Sequence, residues 1–307
     1  MQTTGILLVA HGTPATIEDI PAFLANIRRG RPTPQAIVEE VQRRYLAIGG
    51  RSPVLDTSRE QARLVSQRMG IQAFVATRMW HPYIVDGLRE IAATNLRRLI
   101  VVTMAPHSAH VYEPVVRQAA DVLRQEGRAL PELVFAPCWG DEPTLHRAWA
   151  ELAREVIASM EPRDAARSVL VTTAHSLPMR AIEAGDPYAR LVHETAEAVV
   201  ASLGQDGLPH MHAFQSQGMT TDPWLGPDLP SVFQRAKNTG ATTVVLLPVG
   251  FVADHVETLY DLDIEAKAIA TELGLGVVRV PCLNTVDGLI EAVANVVGRA
   301  LQTGGAI

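Results

Sequence analysis

Cysteine is scarce: Cys138 and Cys282 stand far apart in a chain of 307 residues. Two thiols cannot supply an iron–sulfur cluster or a four-cysteine zinc site, and they read as reduced, partly buried side chains of a cytosolic protein. Long apolar runs are lacking too. None reaches the roughly 18 residues of a membrane span. The start, MQTTGILLVAHGTP, runs straight into a strand without the basic beginning and cleavage site of a signal peptide. No basic tract exists in a chain of net charge −6, which argues against nucleic acid as a partner. What is left is an ordinary globular composition, 47% hydrophobic and 20% charged, long enough for one large or two modest domains.

The most informative stretch is 241–265, ATTVVLLPVGFVADHVETLYDLDIE. Thr243 to Val249 is an unbroken, β-branched apolar run that closes on a glycine, the pattern of a strand buried on both faces. Asp254-His255-Val256-Glu257 follows and opens a helical pattern. On a regular helix Glu257, Asp261 and Glu265 fall at i, i+4 and i+8 and share one face. Like charges so spaced disfavour a helix by a few tenths of a kcal/mol per pair. The face reads either as a solvated acidic surface near a helix N-terminus or as an acidic ladder for a cation or for protons. Ligand sites in open α/β sheets favour such a place, beyond the end of a buried strand.

Elsewhere strands and helices alternate. The spacing predicts strands over 6–10, 72–78, 99–104, 132–136 and 168–172. It predicts helices over 17–29, 35–47, 59–69, 83–95, 113–126, 146–160 and 285–301. This is the signature of parallel, doubly wound sheets. Two short repeats divide the chain. Val9-Ala10-His11-Gly12-Thr13-Pro14 resembles Thr173-Ala174-His175-Ser176-Leu177-Pro178, and LIVVTMAPHSAHVYE (99–113) resembles TVVLLPVGFVADHVE (243–257). We therefore expect two similar α/β halves, 1–150 and 151–307, facing each other across a cleft.

His11, His107 and His175 each follow a strand, as hydrogen-bonded structural residues or as site residues. Arg28, Arg29, Arg31, Arg43, Arg44 and Arg51 are dense for an acidic protein. They form either a solvated surface or a set that recognises carboxylates or phosphates, a task the guanidinium fork suits. Phe214-Gln215-Ser216-Gln217-Gly218 and Asp222-Pro223-Trp224-Leu225-Gly226-Pro227 read as loop. Trp224 there is an anchor or a wall for a flat ligand.

TAHSLP, QSxG followed by DPWLGP, and PVGFVADHVETLYDLDIE together resemble the ferrochelatases. The N-terminal IRRGR, RRYLAIGG and RSP resemble the soluble bacterial coproporphyrin ferrochelatases. The resemblance runs from residue 6 to about 300. It implies a chelatase-like fold, two Rossmann-like halves each with a parallel sheet flanked by helices, and a porphyrin cleft between them. It implies insertion of Fe²⁺ into a tetrapyrrole. His175 and Glu257 match the family's catalytic pair at the metal site, and Asp261 and Glu265 its outer carboxylates, on a helix with a π-type distortion. Arg28, Arg44, Tyr45 and Ser52 match substrate-contacting positions, and Ser216 and Trp224 belong to the same expected surface. Soluble members often carry Tyr where this chain has His11, which would face the metal from the other side; an imidazole is a competent iron ligand.

Metal insertion needs two pyrrole protons to leave and Fe²⁺ to shed water. Neutral His175 can accept a proton or ligate iron near physiological pH, and carboxylates hold a divalent cation without trapping it as thiolates would. Arginines gripping remote carboxylates can help distort the ring. The expected protein is thus a cytoplasmic lyase of haem biosynthesis with Fe²⁺ and porphyrin as substrates. It has no permanent cofactor, and it makes transient contact with neighbouring haem-pathway enzymes. Protoporphyrin IX in place of coproporphyrin III is one alternative, cobalt or nickel insertion into a reduced tetrapyrrole another. A third is a non-catalytic haem-binding or haem-delivery protein with His11 as axial ligand.

Overall fold

The computed structural model describes residues 3–28, 30–204, 208–218 and 222–303. The chain forms two units, Met1–Trp139 with Thr285–Ile307, and Gly140–Asn284. Among the described residues no helix is long and apolar enough to cross a membrane.

Each unit is built on a four-stranded parallel sheet. The first contains β1 (Thr4–Ala10), β2 (Gln72–Thr77), β3 (Arg98–Thr103) and β4 (Glu132–Phe135), in the order β2-β1-β3-β4. The second contains β5 (Ser168–His175), β6 (His210–Gln215), β7 (Thr243–Leu247) and β8 (Gly276–Arg279), in the order β6-β5-β7-β8. Counted from its own first strand, each sheet has the same order. The two short repeats are therefore strand-for-strand counterparts: β1 matches β5, and β3 matches β7. Leu7 pairs with Phe74 and Val101; Val171 pairs with Met211 and Leu246. Central strands are buried on both faces, as unbroken apolar runs require. Ile6 to Val9 and Leu170 to Val171 have no exposed surface. Each such side chain contributes about 1.5–3 kcal/mol through burial.

In the first unit the crossovers are α1 (Ile20–Ile27), α2 (Gln35–Ala47), α3 (Val54–Met69), α4 (Ile84–Ala92) and α5 (Ala109–Gln125). Helices α4 and α5 cover one face of the sheet with Ile84, Leu88, Ile91, Val116, Ala120 and Leu123. The second unit adds α6 (Pro143–Ala158), α7 (Pro162–Ala165), α8 (Met179–Glu183), α9 (Tyr188–Leu203), α10 (Leu229–Asn238) and α11 (Val256–Leu259). A π-helical segment, Asp261–Ala266, leads from α11 into α12 (Lys267–Glu272). Val232, Phe233 and Ala236 of α10 meet Leu262, Ala266 and Ala270 over its sheet.

Three expectations need correction. The division falls at 139/140 rather than 150/151, and the last helix, α13 (Asp287–Thr303), belongs to the first unit. It packs on α3 and β3 through a stripe that includes Leu289, Ile290, Val293 and Val297, a partner local sequence does not specify. Phe214 and Gln215, read as loop, instead close a strand, His210–Gln215: β6 pairs along β5 from Leu170↔His210 to His175↔Gln215. The helix of 257–265 carries the π-type distortion that the resemblance implied, not the regular winding that the residue spacing assumed. The amide of Glu265 bonds to the carbonyl of Tyr260, five residues back, at 3.0 Å. Four residues then fall short of a full turn, so the three carboxylates do not stack in a straight ladder.

Candidate functional site

β5 carries its buried run to Ala174 and ends on His175. Beside it the chain leaving β7 turns at Gly250, whose amide donates to the carbonyl of Thr173 at 3.0 Å. A side chain at 250 would lie 2.6 Å from Cβ and 2.7 Å from Cα of Ala174, so only glycine lets the two segments cross this closely. The crossing brings α11 beside the end of β5. Nδ1 of His175 lies 2.9 Å from Oε2 of Glu257, and each side chain is about one-third exposed, 34% and 30%.

Burial pulls the His175 imidazole down, but the charge of Glu257, its hydrogen bond and the charge of Asp261 outweigh this and hold it above its ordinary value of 6.5. Burial pushes Glu257 up, yet the charge and hydrogen bond of His175, with His255 behind them, hold the carboxyl well below its ordinary range. Both shifts favour the imidazolium–carboxylate form of the pair, with Nδ1–H donating to Oε2.

Residues for which the sequence suggested no role support this pair. Nε2 of Gln215, at the end of β6, donates to the backbone carbonyl of Glu257 at 2.6 Å. His255 donates from Nδ1 to the carbonyl of Ala253 at 3.1 Å, and its Nε2 lies 3.8 Å from Oε2 of Glu257. A histidine two residues ahead of the acid was the available signal for the second group, and the QSxG motif for Gln215, though the motif gave it no role. Ser216 adopts the left-handed region (φ 59°), at a cost of about 1–2 kcal/mol for a non-glycine residue, and its hydroxyl donates to Oδ2 of Asp261. Asp261 is 4% exposed, whereas Glu265 is exposed. The expected metal set of His175, Glu257, Asp261 and Glu265 is thus not gathered. The first two touch, the third is held through Ser216, and the π winding carries the fourth to solvent. Among the described residues no three His, Cys, Asp or Glu side chains are close enough to hold a metal ion.

The loop past β6 is held by backbone pairing. Trp224 bridges to Pro178, and Leu225 donates to the carbonyl of Leu177 at 2.8 Å. Trp224 is half-buried against Gly218, where a Cβ would lie 2.6 Å from its ring.

In the first unit the histidine that matches His175 has a different partner. His11 follows β1, and its Nδ1 lies 3.2 Å from the hydroxyl of Tyr112, in the first turn of the helix after β3. The Arg78 guanidinium sits 5.4 Å from the centre of the Tyr112 ring. Nε of Arg28 donates to the carbonyl of Pro32 at 3.2 Å. Nε of Arg44 donates to Glu40 at 2.8 Å, and the hydrogen bonds from Arg43 and Arg44 hold the Glu40 carboxyl below its ordinary value. Arg29 lies outside the described residues. Tyr45 is 1% exposed, inside the helical layer rather than on an open face, and Ser52 is buried with its Oγ accepting from the amide of Val54 at 3.4 Å.

A family model described as Ferrochelatase matches residues 3–301. The chain is 37% identical over 309 residues to the coproporphyrin III ferrochelatase of Geobacillus kaustophilus, covering 96% of this chain and 95% of that one. It is 34% identical over 301 residues to a protein of Deinococcus radiodurans named ferrochelatase, with the same coverage. Among solved structures it resembles SirB of Bacillus subtilis, with a TM-score of 0.54, 13% identity, and 99% of this chain and 98% of that one covered. A multi-domain Deinococcus radiodurans protein with structural similarity to chelatases gives a TM-score of 0.60 at 14% identity, covering 96% of this chain and 55% of that one. At such identities the likeness concerns the fold.

Proposed function

The chain belongs to the ferrochelatase family, and we propose that it inserts Fe²⁺ into coproporphyrin III, releasing the two pyrrole protons. The observation that carries the reading is the 2.9 Å contact of His175, at the end of β5, with Glu257 of α11. Both substrates, Fe²⁺ and the porphyrin, come from solution, and the reaction belongs to the cytoplasm.

The residues suggest a division of labour. Glu257 holds the Nδ1–H of His175, which leaves Nε2 as the basic atom once the imidazolium has given its proton to water. Taking a pyrrole proton at Nε2 restores the imidazolium, whose charge Glu257 offsets, so the pair is a stronger base than an isolated histidine. Asp261 and Glu265 offer hard oxygen donors to the incoming cation. Arg28 and Arg44 supply guanidinium groups for ring carboxylates, and a substrate with four of them suits an arginine-rich surface. Trp224 and His11 would contribute to ring binding in the same reading, with Tyr45 and Ser52 buried behind the surface.

A second reading, protoporphyrin IX as substrate, stays open because the Deinococcus radiodurans relative is named ferrochelatase with no porphyrin specified. Anaerobic incubation with Fe²⁺ and each porphyrin, followed by visible absorption, decides between them. Faster metallation of coproporphyrin III is expected. Faster metallation of protoporphyrin IX would support the second reading, and tight haem binding without metallation of either would overturn both.

A further inference from the structure

A guanidinium on the far side of the acidic segment joins its two ends. Arg279 ends β8, and its side chain is only 9% exposed. Its Nε and Nη2 donate to Oδ1 and Oδ2 of Asp263, both at 2.8 Å, while Nη1 donates to Oδ1 of Asp254, also at 2.8 Å. Asp254 lies just ahead of α11. It also accepts from Nδ2 of Asn284 at 2.8 Å and from the hydroxyl of Thr258 at 3.0 Å, and its amide donates to Oδ1 of Asn284 at 2.8 Å. Asp263 lies inside the π segment.

The path between these anchors is unusual. At Tyr260 one carbonyl accepts from the amides of both Ile264 and Glu265, each at 3.0 Å, where α winding passes into π. π winding is rare and, where it occurs, marks functional sites. Leu262 and Ala266, fully buried on the sheet, fix the inner face of the segment. Apolar packing alone does not distinguish one winding from another, because a residue of slip can be absorbed by repacking. The bidentate contact to Asp263 is directional and tolerates no such slip.

We propose that Arg279 is a positioning residue for the reaction: by joining Asp254 to Asp263 it keeps residues 254–266 on the π-wound path that sets Glu257 against His175 and Asp261 against Ser216. The proposal rests on the ferrochelatase reading for its kinetic consequence, but not for its structural one.

Arg279→Lys keeps the charge but cannot grip Asp263 with two nitrogens while reaching Asp254. Turnover is expected to fall by about 10- to 100-fold, the usual cost of losing a group that orients a metal-site residue, with the porphyrin KM unchanged. Hydrogen exchange at the Ile264 and Glu265 amides, measured without substrate, is expected to accelerate relative to the core amides of β5. Wild-type exchange and wild-type turnover in a folded Arg279→Lys protein would overturn the proposal. So would a loss of turnover that vanishes at temperatures where variant and wild type are equally folded. Should Arg279→Lys not fold, Asp263→Asn decides by the same readouts. If the wild-type protein metallates no porphyrin, the functional reading fails, while the exchange data still decide whether Arg279 holds the winding.

Discussion

His175 and Glu257, 82 residues apart in the chain, meet through Nδ1 and Oε2 at 2.9 Å, and each moves the other's protonation toward the charged form. In the first unit His11, the counterpart of His175, meets Tyr112 at 3.2 Å, while Glu113, which matches Glu257 in the repeat, pairs with Arg117 at 2.6 Å. The repeated architecture thus delivers a histidine, and a helix that bears a glutamate near its start, to comparable places twice, and in the second copy the histidine meets that glutamate at 2.9 Å.

His175→Ala is expected to leave folding intact, because the side chain is one-third exposed and fills no core site, and to lower chelation by about 10²- to 10⁴-fold, the range for losing a general base. Circular dichroism and an anaerobic Fe²⁺ insertion assay check the two halves. Retained turnover would remove His175 from the chemistry.

The pH profile should shift in a definite direction when Glu257 is neutralised. In the wild type, kcat/KM is expected to rise as His175 loses its proton, at a pH above the ordinary 6.5 of the group. In Glu257→Gln burial acts against the imidazolium with less opposition, so the rising limb moves to lower pH while the maximum rate falls.

Stability follows the same linkage. His175, raised on folding, contributes below about 6.5, and the contribution is lost as pH rises through its elevated value. Glu257, depressed on folding, contributes above about 4.5, and the contribution is lost as pH falls through its lowered value. The Tm difference between wild type and His175→Ala should therefore be greatest between these limits. A difference that grows steadily into alkaline pH would contradict the ion pair.

Asp261→Asn should raise the apparent KM for Fe²⁺ more than Glu265→Gln does. Asp261 is buried and held by the Ser216 hydroxyl, whereas Glu265 is exposed. Steady-state kinetics at saturating porphyrin test this. Equal and negligible effects would leave the acidic face merely solvated.

Gly250→Ala is expected to destabilise the fold by about 1–3 kcal/mol, the cost of overpacking, because its Cβ would lie 2.7 Å from backbone Cα of Ala174. Urea unfolding measures the loss. Chelation by the folded fraction should fall as well, since the displaced backbone is one residue from His175.

Arg28→Ala should raise the coproporphyrin KM more than Arg44→Ala. Arg44 already spends its charge on Glu40 at 2.8 Å, whereas the Nε of Arg28 donates to the backbone carbonyl of Pro32 at 3.2 Å, a neutral partner. Titration of each variant with coproporphyrin III ranks them.

The buried strands were legible because a strand covered on both faces must be apolar throughout, as 243–247 is. Helix α2 was legible from end to end, amphipathic and closed by Gly49-Gly50. The repeated Ala-His strand ends announced two similar sheets, and the motif order announced the family. All of these are local: they depend on which residues neighbour one another along the chain. Sequence by itself did not determine the division at 139/140, the return of α13 to the first unit, the carbonyl contact of Gln215, or the hold of Arg279 on Asp254 and Asp263. Nor did residue spacing predict the π winding, which regular helical periodicity contradicts. These depend on contacts between elements remote in sequence, whose energies appear only when the elements pack. The residue types that could do the chemistry were therefore readable in the chain, and their arrangement was decided by tertiary structure.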